Sequence, residues 1–454
     1  MTTHHHSSDG LSELTELMRH EEELPSRRAS RQVDPQIRRA RRRRRLIVAA
    51  IVTAVVLATT GGYVGWALNA PVRSPVVTSQ TPQVSAPAAA TIALPSDGAF
   101  AISISGADDY LGTTASGIWA SSGTDEPRSI ASITKLITAL VVLDAKPLAD
   151  ADDAGPTITF DKADHDLYDK YYVLGATIAA MPTGSSMSQH DALATMLIPS
   201  ASNYAEAVST WAFGSQWAFL NATRGWLDTH GLTGTTIVEP TGIDPRNTST
   251  PGDLIAIGKL AAADPTIARL AATPSLSLPG VGAMSNTNDL LGSAGIDGLK
   301  TGNLGENSYN LLYTASLDVG AAGPLEITGV LLGGFSRQSA DHSVLTLLGS
   351  IRDGFHQVPL ADAGQDIGAY STLWGDTARM VIGESASILT WSDTPITVTM
   401  ETTTPAIYAD GEVLGSITWT AGPNTETAVI EIEGSIEPPT AWWRLTHPFE
   451  LGDS

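Results

Sequence analysis

Ser132 and Lys135 stand three positions apart at the head of an apolar run, Ile133 to Leu143. On a helix, residues i and i+3 share a face, so the serine hydroxyl and the lysine amine can meet. A hydroxyl needs a base before it becomes a useful nucleophile. A lysine amine serves as that base only when burial or nearby positive charge lowers its pKa. Ile133, Leu136 and Ile137 supply apolar surroundings. The helix N-terminus favours negative charge developing at Ser132. A second group is Pro199-Ser200-Ala201-Ser202-Asn203, between two helical patterns. A hydroxyl there can relay a proton to a departing amine. A third is Asp297-Gly298-Leu299-Lys300-Thr301-Gly302. It offers a cation, a hydroxyl and a backbone free of bulk, which suit a carboxylate lying along a strand. Taken singly, each reads more simply as a helix start, a polar loop or a strand end. Lysine is scarce, with six in the chain: Lys135, Lys146, Lys162, Lys170, Lys259 and Lys300. Two of the three patterns nevertheless contain one.

These groups need a scaffold. From about Ile92 to 358 strand and helix patterns mix without regular βαβ alternation, which predicts an α/β layered domain. Phe100 to Ile104 and Gly117 to Ala120 read as strands, and Ile133 to Leu143 as a buried helix. Asp191 to Ile198 and Tyr204 to Phe213 read as helices flanking the Ser200 loop. Leu311 to Ser316 and Leu325 to Leu332 read as strands, and Val344 to Phe355 as a closing helix. Beyond about 359 the pattern changes to alternating runs at Ile396 to Met400, Val413 to Trp419 and Ala428 to Ile432. Turn signals at Asp410-Gly411 and Gly422-Pro423-Asn424 separate them, so 359–454 reads as a small all-β domain.

The N-terminal part has other uses. Residues 1–45 are polar, include His4 to His6, and read as a disordered tail. They hold 11 Arg against 7 Asp or Glu, a local charge of +4 within a chain of −22. The basic run ends where residues 46–68 begin, 23 positions without a charge. As a helix that stretch is about 34 Å long, enough to cross a bilayer core. The arginines are expected on the cytoplasmic side, leaving the C-terminal bulk outside. Residues 69–91, with Pro71, Pro75, Pro82 and Pro87, read as an extended tether. The acidic body makes nucleic acid a poor partner. The chain has no cysteine, so disulfides, thiolate metal sites and a cysteine nucleophile are excluded.

Order and spacing add what single motifs lack. S-x-x-K, a second serine motif and K-T-G, in that order, mark penicillin-binding proteins and class A β-lactamases. Arg128-Ser129-Ile130-Ala131-Ser132-Ile133-Thr134-Lys135-Leu136-Ile137-Thr138-Ala139-Leu140 resembles the active-serine segment of the D-alanyl-D-alanine carboxypeptidases of peptidase family S11. Met196 to Ala201, Glu239-Pro240-Thr241-Gly242-Ile243-Asp244, Ser285 to Gly292 and Gly298 to Gly302 are similar to the same family. The resemblance covers about residues 92–355. It implies an α+β fold like that of penicillin-binding proteins and serine β-lactamases for 92–358. It implies an acyl-ester on Ser132, Lys135 as general base and Ser200 as proton shuttle. Lys300, Thr301 and Gly302 would line the carboxylate site, with the N–H groups of Ser132 and Asn303 as oxyanion hole. Ser202 and Arg337 are further candidates for substrate binding. The implied substrates are peptidoglycan stem peptides, with β-lactams as covalent inhibitors and no cofactor or metal.

Two departures from the family stand out. Ser202 occupies the place of its usual asparagine, with Asn203 following. Asn307-Ser308-Tyr309 precedes Asn310-Leu311 where Ala-Gly is usual. The first motivates an alternative, a non-catalytic penicillin-binding wall sensor. A β-lactamase is the other alternative. It would need a separate carboxylate for deacylation, and Glu239-Pro240 is followed only by Thr241-Gly242-Ile243.

Overall fold

The computed structural model describes residues 35–452. Most of the expected tail, 1–34 with His4 to His6, lies outside the described residues. The chain divides into two compact units. One holds residues up to Pro75, Thr372–Trp374 and the stretch from Pro438. The other holds Val76–Ser371 and Gly375–Glu437.

The first unit is built on the helix Pro35–Asn69. Proline is at home in a first helical turn, and Arg38 to Arg45 continue the helix rather than a coil. Its apolar side chains are exposed along the span, Leu57 by 67%. By length and composition this helix can cross a membrane. A short helix, Ala441–Thr446, starts at Thr440, whose side chain accepts from Trp443 N. Tyr63 Oη donates to Leu445 O at 2.6 Å, and Arg444 Nη1 donates to Ala70 O at 2.7 Å. Val72 and Leu451 form a bridge, and Ala67, Ala70 and Leu451 bury one another. Residues from 438 onward, expected within the β domain, thus belong with the helix.

In the second unit five antiparallel strands form the central sheet. They are β1 (Ala99–Ser105), β2 (Ala120–Ser122), β3 (Ile296–Gly302), β4 (Tyr309–Leu317) and β5 (Leu325–Gly334). Their spatial order is β3-β4-β5-β1-β2, which leaves β3, carrying Lys300 and Thr301, at an edge. Alternate side chains serve opposite faces. Ala101, Leu299, Leu312 and Val330 pack into a helical layer. That layer is α1 (Thr134–Ala145), α2 (Gln189–Leu197), α3 (Ser202–Phe213) and α4 (Pro251–Ala263). Phe100, Ile102, Leu311 and Tyr313 pack on the other face against α5 (Arg337–Asp353). Helix α5 starts well before the expected Val344, because Ser336 caps it by accepting from Ser339 N. The strand expected at Gly117 to Ala120 begins to pair only at Ala120, opposite Ile102.

A six-stranded antiparallel sheet follows, with spatial order Val76–Ser79, Asp366–Ser371, Thr377–Ile382, Asn424–Glu433, Val413–Ala421 and Thr397–Thr402. Phe355–Ala361 pairs with Ala386–Trp391 and shares the same core around Trp419. The Val76–Ser79 strand lies within the stretch read as tether. Its alternating backbone groups pair with Gly368 to Ser371.

Candidate active site

A tight turn, Ala131–Ile133, delivers Ser132 to the head of α1. Ala131 holds φ of +48°, a strained value for a residue with a Cβ. One helical turn on, Lys135 is 0% exposed. Its Nζ donates to Ser132 Oγ at 3.0 Å and to Thr241 O at 2.7 Å. Burial lowers the pKa of this amine to about 7, against the opposing pull of the Glu239 charge. A pKa near neutrality is what a general base at this position needs.

The 239–244 turn closes this corner. Thr138 Oγ1 donates to Pro240 O at 2.8 Å. Gly242 holds φ of +84°, and a Cβ there would fall on the Ala131 carbonyl oxygen. The Glu239 carboxylate is turned into its own loop and fully engaged. Oε2 accepts from Thr241 N at 2.7 Å and Thr241 Oγ1 at 2.6 Å. Oε1 accepts from Gly242 N at 2.6 Å, Asp244 N at 3.3 Å and Asn247 Nδ2 at 2.7 Å. A carboxylate so occupied has little capacity left to activate a deacylating water.

Strand β3 forms the opposite wall. A Cβ at Gly302 would meet Ile130 O and Ser132 N, so only glycine lets the strand lie against the nucleophile's turn. Lys300 is 2% exposed, and its Nζ donates to Thr287 Oγ1 at 3.3 Å and Thr301 O at 3.2 Å. Thr301 Oγ1 donates to Thr287 Oγ1 at 2.6 Å. Burial holds the Lys300 pKa well below the usual lysine value, and the charges of Lys135 and Arg337 push the same way. Arg337 starts α5. Its Nη1 donates to Thr287 O at 2.6 Å and Asp289 Oδ2 at 2.8 Å. Thr287 therefore joins Lys300, Thr301 and Arg337, a role that no spacing signal in the sequence announces. The same is true of Glu239.

Between α2 and α3, Ser200 holds φ of +70°, is 5% exposed, and its Oγ has no hydrogen-bond partner. A buried hydroxyl left open is costly unless a ligand or a proton-transfer step uses it. Ser202 is buried at the first position of α3, with its N–H donating to Thr177 O at 2.8 Å. Asn203 does not stand in for the missing amide. Its Oδ1 accepts from Ala179 N at 3.1 Å and its Nδ2 donates to Ala179 O at 2.8 Å. Asn303 is exposed, with its Oδ1 accepting from Gly305 N at 2.9 Å. Among the described residues, no cluster of three His, Asp or Glu side chains could hold a metal.

Residues 111–322, just under half of the chain, match a family described as D-alanyl-D-alanine carboxypeptidase, peptidase S11. A D-alanyl-D-alanine carboxypeptidase of Salmonella typhimurium is 23% identical over 57% of this chain and 65% of its own length. A D-alanyl-D-alanine endopeptidase of Pseudomonas aeruginosa is 31% identical over 32% of this chain and 43% of its own. Both relatives are thus matched over less than two thirds of their length. Penicillin binding protein 5 of Haemophilus influenzae superposes at a TM-score of 0.49 with 17% identity, over 78% of this chain and all of that one.

Proposed function

We propose, on the premise that residues 111–322 belong to the D-alanyl-D-alanine carboxypeptidase family, that the chain is a serine D-Ala-D-Ala carboxypeptidase. The observation that carries this is the wholly buried Lys135 amine, 3.0 Å from Ser132 Oγ, with its pKa lowered to about 7. Lys135 takes the Ser132 proton as Oγ attacks the carbonyl of the penultimate D-alanine of a peptidoglycan stem peptide. The N–H groups of Ser132 and Asn303 receive the developing oxyanion, usually the largest electrostatic contribution to such a step. Ser200, with its open hydroxyl, passes a proton to the departing D-alanine amine. Lys300 and Thr301 hold the terminal carboxylate, with Gly302 keeping the strand close and Arg337 adding charge through Thr287. Water then hydrolyses the acyl-ester. β-Lactams present a comparable carbonyl and carboxylate and acylate Ser132 in the substrate's place. The helix Pro35–Asn69 holds the chain in the cell membrane with the catalytic domain outside.

The test is intact-mass spectrometry after exposure to a fluorescent penicillin and to a D-Ala-D-Ala peptide. Wild-type protein gains one penicilloyl group and releases D-alanine, and Ser132→Ala does neither. A labelled Ser132→Ala protein sinks the assignment. A sensor that labels but does not turn over is the second reading. It is favoured by Ser202 together with the Asn203 amide being tied to Ala179.

A further inference from the structure

Lys135 does not hold itself in place. A buried ammonium needs acceptors, and its two are Ser132 Oγ and the Thr241 carbonyl. The carbonyl oxygen sits on a turn that touches the nucleophile's own backbone, since Gly242 leaves no room for a Cβ beside Ala131 O. Whatever shapes the 239–244 turn therefore shapes the base. Five donors from four residues converge on the Glu239 carboxylate, and three of them come from Thr241 and Gly242. Asn247 secures the arrangement from outside. Its Oδ1 accepts from Val238 N at 2.7 Å, and its Nδ2 also donates to Thr134 Oγ1 at 3.2 Å, in the first turn of α1.

We infer that Glu239 is a positioning residue for acyl transfer: its carboxylate folds the turn that presents the Thr241 carbonyl to Lys135 Nζ, and supplies a negative charge that acts on this amine. The inference rests on the reading of Lys135 as the base. Charged and titratable groups bear on the pair from each packed element. Lys300 lies on β3, with Arg337 of α5 beyond it. Behind Glu239 stand the Tyr171 phenol and the Lys170–Glu206 ion pair. At the end of the turn Asp244 is paired with Arg246. Glu239 is thus the carboxylate whose charge opposes the lowering effect of burial at Lys135. Two effects of removing this side chain are separable: lost geometry slows the step, and lost charge moves its pH dependence.

The experiment is the single-turnover rate of acylation by a fluorescent penicillin as a function of pH, on the purified full chain. The wild-type rate rises with pH as Lys135 loses its proton. A nearby anion favours the protonated amine, so its removal lowers the pKa and shifts this rise to lower pH. Glu239→Gln should shift it by about one pH unit. It should also slow the plateau by about tenfold to a hundredfold, the usual scale for a displaced catalytic group. Glu239→Gln combined with Asn247→Asp exchanges amide and carboxylate within one hydrogen-bonded pair. That exchange should bring the pH dependence back toward wild type, and it decides the matter even where the single variant does not fold. A pH profile unmoved in Glu239→Gln, or still displaced in a folded exchange variant, overturns the inference. If the wild-type chain forms no acyl-enzyme at all, the reading of Lys135 as base falls first and the role of Glu239 falls with it.

Discussion

A hydroxyl and an amide differ in reach, and the difference matters at Ser202. An amide offers a carbonyl acceptor and two N–H donors, whereas a serine hydroxyl is shorter and donates once. In the family an asparagine stands here. Asn203 cannot replace it, because both ends of its amide are spent on Ala179. One missing hydrogen bond of this kind costs about 0.5–1.5 kcal/mol, roughly three- to tenfold in rate. The expected result is slow but real turnover. Ser202→Asn should raise D-alanine release from a D-Ala-D-Ala peptide by that factor while penicillin labelling at Ser132 persists. If the wild-type domain labels without releasing D-alanine and Ser202→Asn restores nothing, the sensor reading prevails.

At the scale of elements, the site is a junction of three backbones pressed together: the Ala131–Ile133 turn, strand β3 and the 239–244 turn. Glycine makes two of these contacts possible, Gly302 against Ser132 N and Gly242 against Ala131 O. Gly242→Ala combines a Cβ overlap with φ of +84°. It should destabilise the fold by roughly 1–3 kcal/mol and slow acylation, read as a lower melting temperature together with weaker penicillin labelling. A normal melt with normal labelling would show that the turns are not pressed together. How much of this junction the sequence discloses depends on distance along the chain. Ser132 and Lys135 are legible because three-residue spacing brings them together and the order of the other motifs singles them out. Helix α3 and strands β4 and β5 are legible from their apolar periods. The meeting of Thr287 with Lys300 and the bearing of Glu239 on Lys135 are not, because they arise only after the sheet and the helical layer have formed. The start of α5 is hidden by a polar first turn, Arg337 to Ser339, that carries no apolar period. Residues 76–79 look like the tether around them until Gly368 to Ser371 supply a partner strand.

For the molecule as a whole, charge and hydropathy set orientation. The arginine run at 38–45 abuts the uncharged span, so on the proposed anchoring the positive-inside tendency predicts a cytoplasmic N-terminus. The absence of cysteine makes this easy to read, since any introduced thiol is the only one. Val173 is 83% exposed in the second unit. Val173→Cys should react with a membrane-impermeant maleimide on intact cells stripped of wall. Labelling that appears only after lysis would reverse the orientation.

On the proposed anchoring, the C-terminal segment bears on how the chain is released from a membrane. Residues from 438 onward clasp the helix through Tyr63, Ala70 and Val72. The polypeptide thus leaves this unit after Pro75, re-enters it at Thr372–Trp374 and rejoins it from Pro438. A protease that nicks the chain after exposed Arg73 cuts one link and leaves the other clasped. On the proposed anchoring, release would then require the non-covalent clasp to open as well, so a single nick leaves the chain held.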